Sequence, residues 1–439
     1  MKFKFILSCI ARTCKQIGID MKRIFLFLLF SVFYLAHNQV FAIVDTLQLS
    51  IKQADELFLK TNYQLLATSL QISDQKAQLL QAKLYPNPSF TAEFNAVDPE
   101  NNKVLHLGAS GEQSFQLEQL ILLGGKRKSQ IELAKKNVEL AELAFQDLVR
   151  QLKFQLHAGL YLLHQQQLLI SKYNRQLKMV DDILTSYDEQ AKKGNIPLKD
   201  VVRLKGVYLN LTNERAQITG DYYAGLAKIQ TLLQTDKIVV PSIEAQQFNQ
   251  LILPFKLDFL LDEALLNRSD ILMSKKDMDI AGQYLDLQKR LAKTDITLYT
   301  NYDQRGGAFQ QQVNLGVRMP LMFWNRNQGN IKSAEVQIQS KNYLFESLKS
   351  QVIAEVKSNY LQYQQTITEY KKNHQLYNED FDSTLKGMTE NFRKGNVSLI
   401  EFVDFFESYN NALSEMARSQ IQLATSAEQI NLSTGKELF

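Results

Sequence analysis

Two stretches of this chain, residues 128–190 and 331–393, contain no proline and one glycine each, Gly159 and Gly387. An interior glycine costs a helix about 1 kcal/mol and does not break it. Each stretch therefore reads as one helix of roughly 95 Å at 1.5 Å per residue. A compact globule has no place for such a rod. The apolar positions keep coiled-coil spacing: Ala134, Val138, Ala141, Phe145, Leu148 and Leu152, then Tyr173, Leu177, Val180, Leu184 and Tyr187. The second stretch repeats it with Val356, Tyr360, Tyr363, Ile367, Tyr370, His374, Tyr377 and Phe381. The other faces are rich in Gln, Lys, Asn, Glu and Ser, as expected of helices beside water.

Each rod ends in the same hexapeptide plan, Lys193-Gly194-Asn195-Ile196-Pro197-Leu198 and Lys394-Gly395-Asn396-Val397-Ser398-Leu399. A second pair lies about 200 residues apart, Leu122-Leu123-Gly124-Gly125-Lys126-Arg127 and Phe323-Trp324-Asn325-Arg326-Asn327. The chain thus reads as a two-fold internal repeat: repeat one 43–235 with its tip at 193–198, an equatorial connector 236–260, and repeat two 261–439 with its tip at 394–399. From the first tip a helix over 198–234 returns, and after Pro241 and Pro254 a second over 262–293 completes the height. In the other half the return is made by 399–434 and by an N-terminal helix over 50–83, so the chain ends are expected to meet near mid-height.

Between the helical tracts lie four period-two segments, about 88–96, 112–121, 295–303 and 312–320. Phe90, Ala92, Phe94 and Ala96 alternate with Ser89, Thr91, Glu93 and Asn95, and Val313, Leu315, Val317 and Met319 alternate with Asn314, Gly316, Arg318 and Pro320. These read as two amphipathic hairpins. Strands of about nine to eleven residues suit a tilted crossing of an outer membrane. Unpaired strand edges cannot face hydrocarbon. Four strands are too few to close a barrel, two copies give a filled eight-stranded one, and three give twelve strands with an open interior. A duct requires at least the larger.

Met21-Lys22-Arg23, the apolar run Ile24–Ala36 and the small-residue end Val40-Phe41-Ala42 predict a signal peptide over 1–42. Cys9 and Cys14, the two cysteines of the chain, fall inside it, so the exported chain is expected to be thiol-free. The leader carries six of the 50 Lys and Arg and one of the 46 Asp and Glu, leaving 44 against 45. That balance gives no support to nucleic-acid binding.

The order of leader, helix, Pro86-Asn87-Pro88 into strand, Gly124-Gly125-Lys126-Arg127 into a long helix, the Lys193-Gly194-Asn195 tip and a second copy of the plan resembles the TolC family of outer-membrane efflux proteins, over essentially the whole exported chain. The Pro-Asn-Pro entry and the Gly-Gly-Lys-Arg junction are most similar to its cation-efflux branch, which serves heavy-metal pumps. The resemblance implies a mainly α fold with a small β part: a long antiparallel coiled-coil tunnel in the periplasm and four transmembrane strands per chain, completed as a twelve-stranded barrel in a homotrimer. It implies docking on a periplasmic adaptor that links the duct to an inner-membrane pump of RND type. Gly194, Asn195, Leu198, Gly395, Asn396 and Leu399 would be the adaptor-contacting tips. Asp200, Glu401 and Asp404 would line the closed periplasmic aperture, where three-fold symmetry gathers carboxylates and raises their pKa values, with Arg203 as a partner for one of them.

No catalytic residues, cofactor or metal site are expected. His157 and His164 lie two turns apart without a cysteine or third ligand, and Gly124-Gly125-Lys126 lacks the upstream glycine and following hydroxyl of a phosphate loop. The aromatic excess fits seam packing together with an interfacial belt of Phe309, Phe323 and Trp324. Drug efflux and type I secretion remain alternative duties of the same fold, and a periplasmic coiled-coil scaffold is the alternative of a different class.

Overall fold

The computed structural model describes residues 45–306, 308–376 and 380–439. The expected leader 1–42, with Cys9 and Cys14, and the seam residue Tyr377 lie outside the described residues. The chain divides into Met1–Thr46 and Leu47–Phe439, and the second unit holds the described helices and the main sheet.

A short strand β1 (Thr46–Leu49) leads into α1 (Ile51–Thr61) and α2 (Tyr63–Lys83). The strands β2 (Ser89–Phe94), β3 (Val97–Asp98), β4 (Lys103–Val104) and β5 (Glu112–Ile121) precede α3 (Lys126–Lys192) and α4 (Leu198–Leu233). The connector holds β6 (Ile238–Pro241), which pairs with β1, and α5 (Ala245–Gln250). Then come α6 (Leu257–Asn267), α7 (Ser269–Leu291), β7 (Ile296–Arg305), β8 (Phe309–Arg318), α8 (Gln328–Leu376), α9 (Asp380–Arg393) and α10 (Leu399–Thr434). α3 is unbroken over 67 residues, about 100 Å of helix. It packs against α2, α4, α7 and α10, while α8 packs against α6, α7 and α10.

Two helices expected to be continuous are each interrupted at one residue. The 50–83 tract breaks at Asn62 and the 262–293 tract, which begins earlier at Leu257, breaks at Arg268; both residues take an extended backbone conformation. The reason is helix-end chemistry, since the last carbonyls of a helix have no partner within it. Thr61 Oγ1 donates to Leu233 O at 2.8 Å and Asn62 Nδ2 to Leu232 O at 2.9 Å, closing the end of α4. Arg268 Nη1 donates to Ser433 O at 3.2 Å, and Arg150 donates to Leu432 O, closing the end of α10. At the first break the Asn62 side chain also accepts from the Gln64 and Leu65 amides, capping α2 while it closes α4.

The buried seam collects into three clusters. One joins α1, α3 and α4 through Phe58, Leu156, Leu160, Leu163 and Ile229, and a second joins α6, α8 and α10 through Leu260, Tyr363, Ile367 and Leu423. The third lies toward the tips and brings Val180 and Ile183 of α3 against Phe392 of α9 and Phe402 and Phe406 of α10. Of the expected seam residues, His374 is exposed, its ring stacked on Tyr370 at 5.6 Å.

The main sheet has the order β2-β5-β7-β8, antiparallel throughout. Its register puts Phe90 opposite Leu117, Ala92 opposite Phe115, Phe115 opposite Tyr302, Tyr302 opposite Val313, Thr300 opposite Leu315 and Leu298 opposite Val317. Those residues form one apolar face, with Phe115 stacked against Phe90 and Tyr302. Glu93, Gln116, Glu118, Asn301, Asp303 and Asn314 take the other. β2 and β8 remain open edges. Ala96 and Asn95 lie beyond β2, because the chain turns there into the small β3–β4 pair held by Asp98, whose carboxylate accepts from the Glu100 and Asn101 amides and lies 2.5 Å from His106 Nδ1. Helix and strand proportions are those of a mainly α protein with a small sheet. No described helix is long and apolar enough to cross a membrane.

Candidate functional site

A helix that must reverse within four residues needs a backbone conformation with positive φ, which glycine adopts without a Cβ penalty. Gly194 and Gly395 both stand at φ +77°, with open space around them. At the first tip the Asn195 amide donates to Gln190 O at 3.0 Å and its side chain to Gln190 Oε1 at 2.8 Å; at the second the Asn396 amide donates to Asn391 O at 3.0 Å. These bonds absorb the terminal carbonyls of α3 and α9. Gly194, Asn195, Gly395 and Asn396 are exposed.

The two tips differ in the residue that follows. Leu198 is 70% exposed, but Leu399 is 8% exposed and packs into the third cluster with Phe392 and Phe402. Leu399 thus sits in the core of the tip, against the exposure expected of it, and Ile400, 64% exposed, presents an apolar side chain beside it. An aromatic ladder beneath the tips, Tyr187 on Phe392 at 5.5 Å, Phe392 on Phe402 at 4.4 Å and Phe402 on Phe406 at 5.8 Å, locks α9 and α10 to α3.

Of the expected aperture residues, Asp200 sits half-buried in the first turn of α4, near enough to Tyr187 to add to the burial that raises the phenol's pKa. Arg203, Glu401 and Asp404 are exposed. Glu401 is already engaged locally, since its carboxylate accepts from the Ser398 amide at 2.9 Å while Ser398 Oγ accepts from the Glu401 amide at 3.3 Å, a capping box that starts α10. The hydrogen bonds from Ser398 lower the Glu401 pKa, opposite to the rise expected from a carboxylate ring. Among the described residues none of the four is hydrogen-bonded or ion-paired to another within one chain.

At the opposite end, the strand-to-helix junction is built on Gly124 (φ +68°) and Gly125 (φ +75°). That left-handed conformation is the one glycine adopts without a Cβ penalty, and the Lys293 side chain lies over Gly124. Lys126, 3% exposed, pairs with Asp295 at 2.7 Å and donates to Lys293 O at 2.6 Å, and Arg127 lies over the Tyr85 ring at 3.9 Å while donating to Lys83 O. The junction motif is thus a structural splice between the two hairpins.

Comparison with known proteins agrees with this architecture. Residues 260–436 match the family model described as outer membrane efflux protein. Over 333 residues the chain is 22% identical to the cobalt-zinc-cadmium resistance protein CzcC of Cupriavidus metallidurans, covering 72% of this chain and 76% of that one. Among solved structures it is similar to CusC, with a TM-score of 0.72, 16% identity and coverage of 88% and 92% of the two chains. It is likewise similar to the Campylobacter jejuni CmeC outer membrane channel, with a TM-score of 0.70, 12% identity and coverage of 89% and 87%. Residues 260–436 thus carry the pattern of the outer membrane efflux protein family. Channels of this family work with periplasmic adaptors and inner-membrane pumps in tripartite systems.

A second charged cluster is not signalled by any local pattern in the sequence. His157 Nε2 lies 2.8 Å from Asp55 of α1 and Nδ1 3.0 Å from Glu428 of α10, and Lys153, one turn away, bridges Asp55 at 3.2 Å and Glu437. α1 and the C-terminal segment therefore meet on the middle of α3. Histidines two turns apart drew attention to His157 and His164, but the partners come from residues 102 and 271 positions away, which no local spacing reveals. Among the described residues no group of three metal-ligating side chains is assembled.

Proposed function

We propose that three copies of this chain pool their four-stranded sheets into one twelve-stranded barrel of the outer membrane, and that the helical hairpins, two related copies of one plan, form a periplasmic tunnel beneath it. The observation that carries this reading is the sheet itself: one face apolar and exposed, the other polar, and both edge strands unpaired. Unpaired backbone groups in hydrocarbon cost several kcal/mol each, so edges must meet edges of other copies. The apolar face then meets lipid and the polar face a wet lumen.

The duct passively conducts solutes delivered by an RND-type inner-membrane pump through a periplasmic adaptor. Gly194, Asn195, Leu198, Gly395, Asn396 and Ile400 form the adaptor-docking tips. Asp200, Arg203, Glu401 and Asp404 line the aperture, where copies related by three-fold symmetry place their charges around one axis. Heavy-metal cations are the cargo, a reading supported by the likeness to a cobalt-zinc-cadmium resistance protein. Carbonate extraction tests the membrane reading: the protein should stay with outer membranes and run as a heat-sensitive oligomer, and release by carbonate alone refutes it in favour of a periplasmic scaffold. Growth of a deletion strain on cobalt, zinc, cadmium, drugs and secretion reporters tests the cargo; sensitivity to drugs without sensitivity to metals refutes the metal assignment.

A further inference from the structure

β2 leaves the end of α2 and β5 returns to the start of α3, so the loop between them lies at the end of the sheet farthest from the helices. Three of its side chains form one line of hydrogen bonds. His106 Nδ1 lies 2.5 Å from Asp98 Oδ2, and His106 Nε2 lies 3.1 Å from Ser110 Oγ. The imidazole is 6% exposed and Asp98 9%, whereas Ser110 is exposed. A buried base stands against an open hydroxyl.

The tautomer follows from the partners. An ionised carboxylate only accepts, and Asp98 also accepts from the Glu100 and Asn101 amides at 3.1 Å and from Asn101 Nδ2 at 2.8 Å. The bond from His106, with those from Asn101, holds the Asp98 carboxyl below its usual range. Nδ1 therefore carries the ring proton and Nε2 offers its lone pair. Two donors meet that nitrogen, Ser110 Oγ and, at 3.4 Å, Lys103 Nζ.

The backbone fixes the serine against this base. A Cβ on Gly111 would stand 2.1 Å from His106 O, so the close approach of the two backbone segments needs glycine, and the Glu112 amide donates to the same carbonyl at 3.0 Å. Gln304 Nε2 of β7 donates to Ala109 O at 2.9 Å, and the Gly306 amide donates to Gly111 O at 3.0 Å. Leu105 is held at φ +49°, a left-handed conformation disfavoured for a side chain of its size. Among the described residues the Ala109 and Ser110 amides have no acceptor, which leaves backbone donors beside the hydroxyl.

We propose that Ser110 is a nucleophile activated by His106 as general base, with Asp98 as the positioning residue, and that it takes acyl groups from small activated esters. Roles of this kind are recognised by geometry and not by order in the chain. Nε2 takes the hydroxyl proton as Ser110 Oγ bonds to the carbonyl carbon. The tetrahedral oxyanion, with Lys103 and the free amides at hand, then expels the ester oxygen, which receives the proton from Nε2. The products are acyl-Ser110 and an alcohol, and water activated by the same nitrogen releases the acid. This activity is separate from conduction, and the barrel reading adds to it only that the loop faces the outside of the cell.

The test uses purified full-length protein in detergent with p-nitrophenyl acetate, following nitrophenol release against pH and locating the acetyl group by peptide mass spectrometry. Acetylation of Ser110 is expected, at a rate that rises with pH in one step. His106→Gln should slow it by about 100-fold or more, and Ser110→Ala should remove it. Asp98→Asn should slow it and move the step along the pH axis, which a carboxylate that merely holds the loop would not do. Ser110→Cys separates chemistry from access: its alkylation by iodoacetamide should be faster with His106 than with His106→Gln at about pH 6, and equal at about pH 10, where the thiolate forms unaided. Acetyl groups on lysines with none on Ser110, an equal rate of Ser110 acetylation in His106→Gln, or a thiol whose alkylation ignores His106 at both pH values overturns the proposal.

Discussion

Replacing His157 with glutamine removes a positive charge from between two carboxylates, and the cost depends on the pH at which it is read. His157 is 8% exposed. Burial by itself disfavours the imidazolium, but the hydrogen bonds and charges of Asp55 and Glu428 outweigh it and push the pKa from 6.5 up to about 9. A rise of that size is worth about 3 kcal/mol, in line with the roughly 3–5 kcal/mol lost when one partner of a buried pair is removed. The folded-state pKa lies above the unfolded one. The contribution is therefore complete below pH 6.5, declines through the window above it, and is lost once pH passes about 9.

The shifts of Asp55, Lys153 and Tyr161 carry their own titrations away from that window. Asp55 is held below the usual carboxylate range because the hydrogen bonds and charges of His157 and Lys153 outweigh burial; Lys153 is raised because Glu437 and Asp55 outweigh its burial; and burial raises the Tyr161 phenol. Denaturant unfolding of detergent-solubilised protein, followed by circular dichroism, should show His157→Gln less stable by about 3 kcal/mol near pH 6, with the two proteins converging near pH 10. A gap that stays constant across the window would mean that the imidazolium is not what ties α1 and α10 to α3.

Lys126→Met leaves Asp295 without its buried partner at the splice and should cost about 3 kcal/mol in the same unfolding assay, with the double variant Lys126→Met, Asp295→Asn recovering a large part of it. Leu315→Lys separates lipid from water around the sheet, because Leu315 is 85% exposed in the single chain. In a water-soluble protein such a change stays within about 0.5 kcal/mol, whereas facing a bilayer midplane it should cost about 2–4 kcal/mol, read as lost heat-stable oligomer in outer-membrane fractions. At the tips, Leu198→Glu and Ile400→Glu should abolish crosslinking to the adaptor and leave thermal unfolding unchanged, while Leu399→Ala should lower stability by about 2–3 kcal/mol because it empties a packed site.

What was legible in the sequence was whatever repeats along it. The seam spacing set α3, and the period-two alternation set β5 and β8 to within a few residues, because burial on one face imposes a local rhythm. The tip glycines were legible because one residue type meets the backbone demand at φ +77°. The helix breaks were not. Thr61-Asn62 and Asn267-Arg268-Ser269 interrupt apolar rhythms that continue on both sides, and what breaks the helix is the arrival of the carbonyl ends of α4 and α10, 170 and 165 residues away. A Ser, Thr or Asn within a helical pattern is ambiguous between surface and cap, and only the neighbour decides.

Leu198 and Leu399 show the same limit from the other side. Their hexapeptides match closely, so sequence assigned them one role. Yet Pro197 precedes the first helix without a side-chain cap, while Ser398 and Glu401 close a capping box on the second, and three of the four rings of the aromatic ladder, Phe392, Phe402 and Phe406, belong to the second hairpin. Phe402 of that tip is replaced by Val201 at the first, so the second start of helix is drawn down onto the stack and its leucine with it. A duplicated motif keeps its backbone because glycine and the helix ends demand it. Its side chains then diverge with whatever each copy packs against, so that the exposed apolar residue is leucine at one tip and isoleucine at the other.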